Sequence, residues 1–116
     1  MPATLRISSG EFVDDQWRKV DRFTTNETHM AVVIALPPVA DGNHFRLTVS
    51  RKGAEEALAE TTFIWRRDNP ATGVMFSFDP SRIAADGGGP GKYIVTFYGI
   101  ADEPLITRDF KIVKPE

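Results

Sequence analysis

The residues of this 116-residue chain that could do chemistry fall into a few groups, and spacing decides each. Gly87-Gly88-Gly89-Pro90-Gly91-Lys92 has the composition of a phosphate-cradling loop. Such a loop needs a glycine five residues before its last glycine, a Ser or Thr after the lysine, and a helix behind it. Asp86 and Tyr93 hold those places, and an alternating, strand-like run follows. It reads as a turn. His29 and His44 are the only imidazoles, and neither has a second metal ligand at helical or hairpin spacing. Asp14-Asp15 and Asp41-Gly42-Asn43 offer oxygen ligands without the regular calcium-loop pattern, so they read as turns and solvated charge. With no cysteine, thiolate zinc sites, disulfides and cysteine nucleophiles are excluded together. No metal, no cofactor and no enzymatic activity is expected.

Fourteen basic and sixteen acidic side chains leave a net charge of −2, which argues against a nucleic-acid footprint. Two basic pairs, Arg51-Lys52 and Arg66-Arg67, would join into one patch only if their strands are neighbours; a solvated sheet face is the expectation. Asn26-Glu27-Thr28 fits the glycosylation acceptor pattern, which matters only in a eukaryotic secreted protein. The longest apolar stretch, Met30 to Ala40, has eleven residues and two prolines, where a spanning helix needs about 20 apolar residues. No membrane insertion is expected. With Met1 as the native start the expectation is a cytoplasmic protein; after removal of a leader it is an extracytoplasmic one.

The elements that must position these residues alternate with period two. Phe45, Leu47 and Val49 oppose His44, Arg46, Thr48 and Ser50. Val74, Phe76 and Phe78 oppose Met75, Ser77 and Asp79; Tyr93, Val95 and Phe97 oppose Lys92, Ile94, Thr96 and Tyr98. Phe63 and Trp65 form a further core row, Thr4 to Ser8 a first strand, and Phe110 with Ile112 a last one. Arg108 shares the parity of Phe110, so a bulge or strand end is expected between Ile106 and Phe110. Met30 to Leu36 is apolar on both parities, which calls for a cover on its small-residue face: the stretch Phe12 to Phe23, or another subunit. Gly53 to Glu60 has helical composition, and Pro80 to Ala84 allows one more helical turn. About seven strands without long helices predict a single all-β domain over residues 1–116, an antiparallel β-sandwich.

One stretch carries a resemblance. Phe76-Ser77-Phe78-Asp79-Pro80-Ser81, a glycine-rich turn, then Pro90 to Phe97 resembles the E–F corner of immunoglobulin-like and fibronectin type III-like domains. Tyr93 stands where those domains place the tyrosine whose hydroxyl bonds back to upstream backbone. Arg108 to Val113 resembles strand G, and Asp21-Arg22-Phe23 the lead-in to strand B. Val95 stands where antibody domains carry a cysteine, and Trp65 lies one strand later than their tryptophan. The chain is therefore more similar to the cysteine-free immunoglobulin-like modules of bacterial proteins, and that resemblance implies binding, spacing or docking.

The expected function is a non-catalytic interaction or assembly module that meets a protein partner or a second copy of itself. Its expected surface is an outward row of Ile94, Tyr98, Ile64 and Met75, with Trp17 beside it or folded over it. A carbohydrate-binding module with Trp17 or Tyr98 as the stacking platform is the second class, and a spacer domain of a larger enzyme the third. Tyr93 and Trp65 are the expected structural residues.

Overall fold

The computed structural model describes residues 4–14, 16–35, 42, 44–65, 74–99 and 102–115. The strands are β1 (Thr4–Val13), β2 (Gln16–Lys19), β3 (Arg22–Thr24), β4 (Met30–Ala35), β5 (His44–Arg51), β6 (Ala57–Ile64), β7 (Val74–Phe78), β8 (Gly91–Tyr98) and β9 (Pro104–Val113). One helix, α1 (Pro80–Gly87), stands between β7 and β8. The fold is all-β in two sheets, ordered β2-β1-β4-β7 and β3-β9-β8-β5-β6. Every pairing is antiparallel except β3 on β9. The five-stranded sheet curls into a half-barrel.

The alternation rows meet in one core. Leu5, Ile7, Met30, Val32 and Ile34 of the first sheet join Phe45, Leu47, Val49, Tyr93, Val95, Phe97, Phe110 and Ile112 of the second, all buried. Phe45 stacks on Phe97 at 5.3 Å between centroids, and Phe63 lies 4.8 Å from Phe76, so aromatic contacts cross from one sheet to the other. Trp65, just after β6, belongs to the same core at 4% exposure.

β4 is buried on both parities. Ala31 and Val33, on its outward face, are 0% and 4% exposed within a single chain. The cover this strand requires is therefore internal, and it needs no second subunit. Leu36 lies outside the described residues.

Three expectations are corrected. Gly53 to Glu60 forms no helix: Lys52 and Gly53 make a turn closed by the Ala54 N–H on the Arg51 carbonyl (2.9 Å), and Ala57 onward is strand. An eight-residue helix gains little alone, whereas this segment finds a full ladder partner in β5. The helix is instead α1, longer than the expected Pro80 to Ala84. Asp79 caps it by accepting from the N–H groups of Ser81 and Arg82, Pro80 opens it, and Gly88 closes it at φ 92°. Finally, no bulge lies between Ile106 and Phe110. The β8–β9 register runs unbroken from Gly91↔Ile112 to Phe97↔Ile106 and shifts only beyond, where Leu105 is the extra residue before Pro104↔Tyr98. Arg108 thus stays on the inward row, opposite the fully buried Val95.

The cap gives α1 a pH dependence. The hydrogen bond from the Ser81 hydroxyl, aided by the N–H groups of Arg82 and Ser81 and opposed by desolvation, holds the Asp79 carboxyl below its ordinary value. A carboxylate depressed on folding stabilises above its unfolded pKa, about pH 4, and loses that contribution as pH falls through the folded value. Asp79→Ala is expected to lower Tm at pH 7 and to flatten the acid limb of a melting series below about pH 4. An unchanged acid limb would place the sensitivity elsewhere.

Between α1 and β8 the chain turns around one side chain. Tyr93, fully buried, donates its hydroxyl to the Gly89 carbonyl at 2.5 Å. Arg51 Nη1 donates to that hydroxyl (3.0 Å) and to the carbonyls of Gly87 (2.9 Å) and Gly89 (3.2 Å), while Nη2 reaches the Pro90 carbonyl (3.2 Å). A Cβ at Gly91 would run into this guanidinium and displace it from its acceptors. Tyr93→Phe is expected to cost about 1–2 kcal/mol in urea denaturation without changing the fold; a loss near zero would mean that the hydroxyl contributes nothing.

Candidate functional site

The outer face of the five-stranded sheet is built by the parities opposite the core. Register places Tyr98 beside Arg46, and Arg46 beside Thr62; His44 lies beside Ile64 one step further along. The Arg46 guanidinium lies 4.0 Å from the centroid of the Tyr98 ring. Its Nη2 is 2.9 Å from Asp102 Oδ1 and its Nη1 3.4 Å from Glu60 Oε2. One arginine on β5 thereby ties β6, β8 and the turn after β8, where Asp102 adopts φ 60°. These charges are half exposed, so the pairs organise side chains more than they stabilise the fold.

Exposed apolar side chains gather at the same end. Ile64, Met75 and Leu105, at 37%, 40% and 49%, are the exposed large hydrophobics among the described residues, and each stands within one residue of a strand end. Ile64 closes β6, and Leu105 is the second residue of β9, next to Pro104, which pairs with the last residue of β8, Tyr98. Leu105 lies close over Gly99. Tyr98, Arg46 and Ile64 thus lie at one end of the outer face of β8, β5 and β6, and Leu105 stands at the register shift beside that end.

The other end of this face is cationic. Arg22 pairs with Lys111, Lys111 with Lys92, and the Lys52 N–H continues the ladder onto the Lys92 carbonyl. Four cations thus cross the sheet in one row, with Lys52 neutralised by Asp109 at 2.8 Å. The expected basic patch is different. Arg51 points inward to the α1 corner, and Arg66 and Arg67 lie outside the described residues.

The outward row expected from the sequence divides. Ile94 and Tyr98 share the outer face of β8 with Thr96 between them, both half-buried. Ile64 stands two strands away at the Tyr98 end, and Met75 belongs to the other sheet, opposite Val33. Trp17 lies in β2 opposite Phe12; its side chain is outside the described residues. Arg46 was missed, because nothing marks one charged residue on a wet strand until register sets it against an aromatic ring. Leu105 was missed because it is the extra residue at a register shift. Both histidines are exposed, and among the described residues no three His, Asp or Glu gather at metal-binding distance. Asp15, Asp41 and Asn43 lie outside the described residues. No helix among the described residues is long and apolar enough to cross a membrane. Set beside protein-family models, curated proteins and solved structures, the chain matches none of them.

Proposed function

We propose that the chain is a non-catalytic, immunoglobulin-like β-sandwich module that binds a separate protein partner through the Tyr98 end of its five-stranded sheet. The strand order supports the architecture: β1, β4 and β7 correspond to strands A, B and E, and β5, β8 and β9 to C, F and G, with β6 added beside C. The hydroxyl of Tyr93 on the carbonyl four residues upstream is the bond that a tyrosine corner makes.

The observation that carries the function is the patch of Leu105, Tyr98, Arg46 and Ile64. Tyrosine and arginine are enriched at the energetic centres of protein interfaces, and apolar neighbours exclude water around them. The carbohydrate reading is less favoured, since Arg46 already occupies a face of the Tyr98 ring that a sugar would need. The test is affinity capture from an extract of the source cells, with tagged wild type beside a Tyr98→Ala, Leu105→Ser double variant of unchanged Tm. Recovery of a stoichiometric protein that falls about ten-fold or more with the variant is the expected result. Equal recovery by both would overturn the assignment of this surface.

A further inference from the structure

Arg108 poses a question that the Tyr98 patch does not answer. It stands on the inward row of β9, between Ile106 and Phe110, yet its side chain is exposed and donates Nη1 to the neighbouring Thr107 carbonyl at 2.9 Å. It lines a cleft of about 520 Å³ between the two sheets, shared with Arg6 and Lys19. Among the described residues none of these three cations has a carboxylate within ion-pair distance. Asp21 and Asp109 also border the cleft, and Asp109 is already engaged by Lys52. The lining is thus net positive, three cations against the one unengaged carboxylate of Asp21, beside the apolar Leu5 and Ile7.

Its walls are two unfinished sheet edges. β2 covers β1 only from Ser8 onward, so over Thr4–Ile7 no described strand lies on that side of β1. β3 covers β9 only over Lys111–Val113, so at Arg108 and Asp109 the same holds for β9. The chain closes one end itself. Val20 donates its N–H to the Ile7 carbonyl (3.0 Å), and the Asp21 carbonyl accepts from the Lys111 N–H (2.9 Å), so 19–22 crosses from one sheet to the other. Past that crossing no described strand continues the track taken by β2 and β3 on either side. An open edge is a template for an added strand, and side chains beside it choose which strand.

We infer that this cleft binds a short extended peptide segment carrying a carboxylate side chain, which pairs with the edge of β1 at Thr4–Arg6 and sets its carboxylate among Arg108, Lys19 and Arg6. The edge that the Val20–Ile7 bond leaves, Thr4–Arg6, accommodates a short segment, and the cations select acidic over basic ones. The site is separate from the Tyr98 patch, so either assignment can fail alone.

The probe is three pools of random heptapeptides with a fixed central glutamate, lysine or alanine, presented to the full chain and to Arg108→Gln. The glutamate pool is expected to be retained about ten-fold more than the lysine pool, the scale of one charge-assisted hydrogen bond, and Arg108→Gln to remove most of that preference at unchanged Tm. Amide shifts on adding the strongest retained peptide should centre on Thr4–Arg6 and Arg108. Equal retention of the three pools overturns the proposal, as does a preference that Arg108→Gln leaves intact. Shifts centred on His44, Ile64 and Tyr98 also overturn it and would move peptide binding to the proposed interaction patch.

Discussion

Trp65→Ala should cost roughly 3–5 kcal/mol in equilibrium urea unfolding, the range for deleting a large buried aromatic side chain. Trp65 is 4% exposed and belongs to the cluster that joins both sheets, though it lies past the last ladder residue of β6. Its carbonyl also accepts the Gly42 N–H at 2.7 Å, so the side chain anchors a position where two chain segments meet. Truncation leaves a cavity that the neighbouring strands, held by their ladders, cannot close. A loss under about 1 kcal/mol would mean that the indole is solvent-facing, and it would then join the candidate binding residues.

An effect of the same size is expected from a residue that alternation assigns to the outside. Ala31→Asp should destabilise by about 3–5 kcal/mol at pH 7, the cost of a buried charge without a partner. Ala31 is fully buried on the outward face of β4, between Ser8 of β1 and Ser77 of β7, and neither neighbour is a cation. Because a buried carboxylate is easier to keep neutral, the deficit should shrink as pH falls. Thermal melts over pH 4–8 read both effects. A variant as stable as wild type would mean that water reaches this face, and the doubly apolar strand would again call for a second subunit.

The core rows were legible because alternation needs no partner to be read: Phe45, Leu47 and Val49 face inward on parity alone. What failed was information that only pairing holds. Gly53 to Glu60 has helix-favouring residues, but the free edge of β5 outweighs local propensity. Arg108 was read as requiring a bulge, on the premise that a charge leaves the core by breaking register. It leaves instead because the sheets part beside it, and that opening depends on where β2 and β3 end. The interaction patch was half legible. Tyr98 and Ile64 are conspicuous as outward apolar residues, whereas their grouping with Arg46 and Leu105 follows from a register and a shift that no single strand encodes.

The Tyr98 end of the five-stranded sheet is proposed to meet a protein partner. Amide hydrogen exchange of the chain, alone and with the protein it captures, tests this most directly. Added protection is expected at the start of β5, the end of β6, the end of β8 and the start of β9, around His44, Ile64, Tyr98 and Leu105. Protection confined to β4 and β7, or spread evenly over the chain, would contradict it.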